Sequence, residues 1–292
     1  LAARLPADAP AEPLDRARQA GLARAILEVD ERALQPFAVG HLAAWAPDLG
    51  GLAPDLPLAG LDAAAWLQLA AATRDPELVR GMWRFARLAQ CRAYTTADEA
   101  ERRALCRAIV LSCERLATVD GLARLRFRDP KHTSQLAFQN GEWRVSEGRL
   151  LGQAVGSNNF ATHRVRFREL RAVVLRGGIL GDDGLNFRCQ VGDVNLLLNW
   201  EVEPQNHLWL RGACHRATPP ALTAGQEHEI VIFTDGASCH VCIDGEHMWS
   251  VPGALAGTVT VYPALGSEIF VREIFVAGEP DGLVDGPVGV LM

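Results

Sequence analysis

Residues 200–212 read WEVEPQNHLWLRG, and Glu201, His207, Trp209 and Arg211 within them share one parity. On an extended strand one parity is one face, because successive side chains alternate sides. An indole can cover the apolar C–H face of a sugar ring while carboxylate, imidazole and guanidinium groups meet its hydroxyls. Continuing the alternation over 184–201 adds Asn186, Arg188, Gln190, Asn195 and Asn199 to the outward set. Leu185, Phe187, Cys189, Val194, Leu196, Leu198, Leu208 and Leu210 are expected to point inward. The expected ligand-binding residues are Arg188, Asn199, Glu201, His207, Trp209 and Arg211. The competing reading covers this face with another part of the chain and makes Trp209 an interdomain anchor.

The same stretch offers limited means for catalysis. Glu201 with Asp182 or Asp183 could form a carboxylate pair, and His207 could serve as a base if its pKa were tuned. Each residue also has a simpler role, since Asp182-Asp183-Gly184 is ordinary turn chemistry. Arg164, Arg166 and Arg168 in HRVRFRELR would share one strand face, either meeting an acidic partner or lining a solvated edge strand.

Two kinds of element must position these groups. Residues 14–118 follow helical spacing, with Leu14, Ala17, Leu22, Ile26 and Leu27 forming one apolar stripe. Asp75 and Pro76 suit a helix start, and Thr96 with Glu99 has the spacing of a capping box. Four or five packed helices are expected there, with Trp45, Trp66 and Trp83 in their core. From about Arg124 the period becomes two, giving about a dozen short strands bounded by Gly, Asp, Asn and Pro. Asp235-Gly236 and Asp244-Gly245 favour tight hairpin turns, so 228–250 is predicted to be a three-stranded meander. Many strands without interleaved helices specify an antiparallel sandwich.

The whole chain has 292 residues, 49% hydrophobic and 22% charged, the composition of a globular protein with two domains. No run approaches 18 apolar residues, so no transmembrane segment is expected. A net charge of −6, with Lys131 the only lysine, argues against nucleic acid as a partner. The seven cysteines follow no small-domain disulfide framework. Cys239 and Cys242 should face opposite sides of a strand, while Cys106 and Cys113 read as small core residues on a helix. Unbridged cysteines favour the cytoplasm slightly; the Ala/Pro-rich start without an initiator Met leaves room for a removed leader and a periplasmic or extracellular location.

Several stretches carry a resemblance. WRVSEGRL at 143–150, DGLNFRC at 183–189, HEIVIFTDGASCHVCIDGEHMWSV at 228–251 and EIFVREIFV near the end resemble the concanavalin A-like lectin/glucanase superfamily, notably its laminin-G-like and 3-keto-disaccharide-hydrolase-like branches. The likeness covers roughly 124–278 and implies a jelly-roll sandwich. It lacks the Glu-x-Asp-x-x-Glu strand of retaining glucanases. The Asn-Ser-Gly of the keto-disaccharide branch is replaced by Asp182-Asp183-Gly184, and the Tyr-Glu pair is missing from VNLLLNWE. Such domains often carry calcium, for which Asp182 and Asp183 are the candidate ligands, although six to eight oxygens are needed; no other cofactor is implied.

The fold class expected is therefore α+β multidomain: a linker over 1–13, a helical domain over 14–120, an antiparallel sandwich over 124–278 and a tail over 279–292. The leading functional expectation is a non-catalytic module that binds a glycan or docks on protein within a larger complex. A hydrolase or lyase acting on a sugar derivative through Glu201, His207 and Asp183, and a structural accessory subunit, are the alternatives.

Overall fold

The computed structural model describes residues 63–64, 67, 76–120, 124–181, 186–199, 206–217, 222–264 and 266–283. Most of the expected helical domain, with Trp45 and Trp66, lies outside these residues. Two long helices are described, α1 (Pro76–Thr96) and α2 (Glu99–Asp120). Pro76 opens α1, where its missing N–H costs nothing. The expected capping box is corrected: Asp98 caps α2 by accepting the Glu101 amide at 2.9 Å, while the Thr96 hydroxyl donates back to the Ala93 carbonyl of α1. A carboxylate outcompetes threonine here because it also meets the positive end of the helix. The chain divides into two compact units, and Ala97–Cys113 belongs with the sandwich rather than with α1.

Sixteen strands follow among the described residues. In chain order they are β1 (Arg124–Arg126), β2 (Leu136–Gln139), β3 (Glu142–Ser146), β4 (Arg149–Gln153), β5 (Phe160–His163), β6 (Val165–Leu180), β7 (Phe187–Val191) and β8 (Val194–Leu198). Then come β9 (Asn206–Leu210), β10 (Ala213–Ala217), β11 (His228–Thr234), β12 (Ser238–Ile243), β13 (Glu246–Pro252), β14 (Leu255–Gly257), β15 (Val259–Pro263) and β16 (Glu268–Leu283). All pairings are antiparallel. Sheet A has the order β13-β12-β11-β6-β16-β4-β3, with β1 added to β16 and β14 to β6; sheet B has the order β10-β9-β8-β7-β15-β5-β2.

One continuous apolar core joins the two sheets. Phe167, Val173 and Leu175 of β6 meet Phe187 and Cys189 of β7, Leu196 of β8 and Val261 of β15 in it. Each such side chain contributes about 1.5–3 kcal/mol on burial. The chain exchanges sheets repeatedly between β2 and β16, giving a two-layer antiparallel sandwich of the jelly-roll kind.

The expected meander is present, since β11 pairs with β12 and β12 with β13. Its second turn holds Asp244 and Gly245 at φ 53° and 81°, the left-handed geometry a two-residue hairpin needs. Two segment expectations are corrected. HRVRFR and RAVVLRG are not separate strands but the single β6, and β6 is flanked by β11, β14 and β16 rather than exposed as an edge. Arg168 of β6 pairs with Glu279, and Arg164, just before the strand, donates to the Leu136 carbonyl. β16 also continues past residue 278 to Leu283 by pairing with the first half of β6.

Candidate functional site

The residues singled out by alternation converge on the outer face of sheet B. Phe187, Cys189, Val194, Leu196, Leu198 and Leu208 all point into the core, and Leu210 packs partly against it. The opposite parity forms two rows across neighbouring strands. The first runs Cys214, Trp209, Asn195, Gln190, Thr260 and Thr162. The second runs Arg216, His207, Leu197, Arg188 and Tyr262. Antiparallel register places directly opposed side chains about 4.5–5.5 Å apart, so each row is a contiguous strip.

The strip is open at one end and closed at the other. Trp209 is 41% exposed, and Arg216 is also exposed, whereas Thr162, Thr260, Phe160 and Tyr262 are buried. The Phe160 ring meets the Tyr262 ring edge-on at 5.3 Å. The Tyr262 hydroxyl donates to Asn195 Oδ1 at 2.7 Å, and burial pushes the phenol pKa up to about 12. Arg188 Nε donates to Asn186 Oδ1 at 2.9 Å, and Gln190 Nε2 donates to the Gly192 carbonyl at 2.9 Å. The other halves of these two amides have no partner: Asn186 Nδ2 and Gln190 Oε1 are buried without a hydrogen bond. One donor and one acceptor on this face are thus desolvated and unsatisfied, a cost of roughly 1–3 kcal/mol each.

Three expected positions behave differently. Asn199 is buried at a φ of 57°, and its amide brackets Leu222 by donating to the carbonyl at 2.6 Å and accepting from the amide at 3.0 Å. It therefore holds a loop rather than facing outward, because the strand ends at Leu198 and the left-handed residue turns its side chain inward. Arg211 lies in the β9–β10 turn at φ 48°, beyond the strand, with Nε 3.4 Å from the Asp193 carboxylate. His207 sits on the outer face as expected but is only 5% exposed, so it is not the solvated imidazole that the alternation suggests. Glu201, Asp182, Asp183, Leu185 and Trp200 lie outside the described residues. Among the described residues no group of three or more His, Cys, Asp or Glu side chains could hold a metal ion.

The structure also supplies residues that the sequence reading left out. Tyr262, Thr260, Phe160 and Thr162 reach this face because β15 is inserted between β7 and β5. The parity of VTVYP marks Thr260 and Tyr262 as a pair facing away from Val259 and Val261, but nothing in it names β7 as the neighbour. Among the described residues no helix is long and apolar enough to cross a membrane.

No family model matches this chain. No curated protein matches it either. Solved structures do resemble it. A β-glucanase from Bacillus licheniformis is similar at 8% identity and a TM-score of 0.44, over 54% of this chain and 98% of its own. A protein of unknown function with a galectin-like fold from Bacillus subtilis is similar at 12% identity and a TM-score of 0.44, over 53% and 94%. A sialidase is similar at 9% identity and a TM-score of 0.41 over 50% of this chain, which spans 17% of that protein's length.

Proposed function

We propose that the outer face of sheet B binds a carbohydrate without transforming it. The observation that carries this reading is Trp209, an indole about two-fifths exposed, set between Asn195 and Cys214 and continued by Gln190 and Arg188 of β7. An aromatic platform with amides and a guanidinium beside it suits a sugar ring, whose two faces are apolar while its rim is hydroxylated. A hydrolytic role would rest on Glu201 and Asp183, outside the described residues, and on His207, which is nearly closed to solvent. The same proposal gives the chain a helical N-terminal part ahead of the sandwich, a reading supported by the 21 residues of α1.

Native affinity electrophoresis in gels containing neutral and acidic polysaccharides tests the proposal. Retardation by at least one polysaccharide is expected, reduced about tenfold or more in apparent affinity in Trp209→Ala, since hot-spot aromatics cost over 1 kcal/mol on truncation. Equal retardation of the parent chain and Trp209→Ala, or none on any polysaccharide, would overturn it.

A further inference from the structure

The first turns of α2 rest on the outer face of sheet A. Arg103 pairs with Glu246 of β13 at 3.1 Å, and the Arg103 side chain packs so closely on Gly245 that an added Cβ there would lie 3.0 Å from its Cγ. One helical turn further on, Cys106 points at the same hairpin. On the sheet, Cys239, Val241 and Ile243 face the core, so Cys242 takes the outer side, opposite Val231 of β11. The β12–β13 register shifts between Val241 and Cys242, where Met248 of β13 is the extra residue, so β12 keeps its alternation and Cys242 its outward side. The result is a thiol pair: Cys106 and Cys242 are hydrogen-bonded to each other, and both are buried.

We propose that Cys106 and Cys242 are a disulfide-forming pair, and that the bond, once made, fastens α2 to sheet A. Closure requires the two sulfurs to move from hydrogen-bonding contact to about 2.05 Å. The oxidant is another disulfide, such as oxidised glutathione. The thiolate of one cysteine attacks a glutathione sulfur and one reduced glutathione leaves. The second cysteine, after losing its proton, attacks the mixed disulfide, and the second reduced glutathione departs. Two protein thiols are oxidised, and one small disulfide is reduced to two thiols.

Selectivity follows from placement. Cys239, only three residues from Cys242, is on the core side of the sheet and cannot compete. Timing follows from burial. The hydrogen bond to Cys242 and desolvation raise the Cys106 thiol well above its ordinary pKa, so in the folded state Cys106 is held protonated and unreactive. Exchange therefore waits for α2 to lift from the sheet, and the Arg103–Glu246 contact at the edge of the patch limits how often it does. The bond closes a loop that includes most of the sandwich, so it removes conformational freedom from the unfolded chain.

The test uses the full chain incubated with oxidised glutathione, then alkylated with iodoacetamide and mapped by mass spectrometry. The expected result is a linked Cys106–Cys242 peptide, two fewer alkylated thiols and a rise in Tm of about 5 °C or more. Cys106→Ala should show neither the link nor the oxidant-dependent rise. Arg103→Ala should form the same link several-fold faster, because the helix opens more often. Alkylation of both cysteines after prolonged exposure of the Arg103→Ala variant, or linkage of either one to a different cysteine, would overturn the proposal. An Arg103→Ala rate equal to that of the parent would overturn the gating.

Discussion

The hydroxyl of Tyr262 reaches across β7 to donate a 2.7 Å hydrogen bond to the amide oxygen of Asn195, tying β15 to β8 on the outer face of sheet B. Asn195 is the cross-strand partner of Trp209 in the first row, and Tyr262 ends the second row beside it. The rigid, buried end of the strip therefore positions a side chain at its open end.

Replacing Tyr262 with Phe keeps the ring against Phe160 but leaves Asn195 Oδ1 without its donor. The expected cost is about 1 kcal/mol in urea melts, the usual net worth of a neutral hydrogen bond. If the strip binds carbohydrate, the same variant should weaken retardation in affinity gels by less than Trp209→Ala does, because Asn195 is loosened rather than removed.

His163 gives the sandwich an acid-sensitive point. It is fully buried beside Phe167, its Nδ1 accepts the Val165 amide at 3.1 Å, and Nε2 has no partner. Burial lowers its pKa from 6.5 to about 4. The folded state therefore stays neutral while the unfolded chain takes up a proton below pH 6.5, and stability falls as pH drops from 6.5 to about 4. The depth of the fall is of order 3 kcal/mol, from 1.36 kcal/mol per pKa unit. Urea melts of His163→Phe at pH 7 and pH 4.5 should show a smaller loss between the two than the parent, even though the variant starts lower for want of an acceptor for Val165.

Trp143 of β3 lies flat on Gly152 of β4, its cross-strand partner, and its indole donates to the Asn140 carbonyl at 2.9 Å. A Cβ on residue 152 would sit 2.3 Å from the indole carbon Cζ3. Gly152→Ala should therefore push the ring outward, with a loss of about 1–3 kcal/mol and a red-shifted tryptophan emission. An unshifted spectrum with unchanged stability would show that the indole does not need this floor.

Glu273 on sheet A is nearly buried and receives three guanidinium groups: Arg126 and Arg176 at 2.8 Å and Arg124 at 3.7 Å. Glu273→Gln keeps the shape and removes the charge. Because the arginines remain partly in water, the expected loss is moderate, about 1–3 kcal/mol. Thermal melts should show the gap narrowing in 1 M salt, where the screening length falls to about 3 Å.

Much of the sandwich could be read from local pattern. Alternation separated Phe187, Cys189 and Leu196 from Arg188, Gln190 and Asn195, because a pleated backbone enforces a period of two wherever one face is buried. The Asp244-Gly245 turn was legible because left-handed φ values exclude most other residues. Asn199 and Arg211 escaped the same logic: a strand's last residue cannot be seen in alternation, and past it the parity of a side chain no longer fixes its direction. β6 was split in two by the charges of RFREL, which look like a boundary until Glu279 of β16 is placed beside them.

What the sequence by itself determined is the alternating code, the turns and hence a two-layer antiparallel sandwich. Only the tertiary structure decided which strands became neighbours: β15 between β7 and β5, and Cys106 against Cys242. The physical reason is that backbone hydrogen bonds are alike for every strand, so pairing partners distant in the chain are chosen by the fit of the whole core rather than by any local signal.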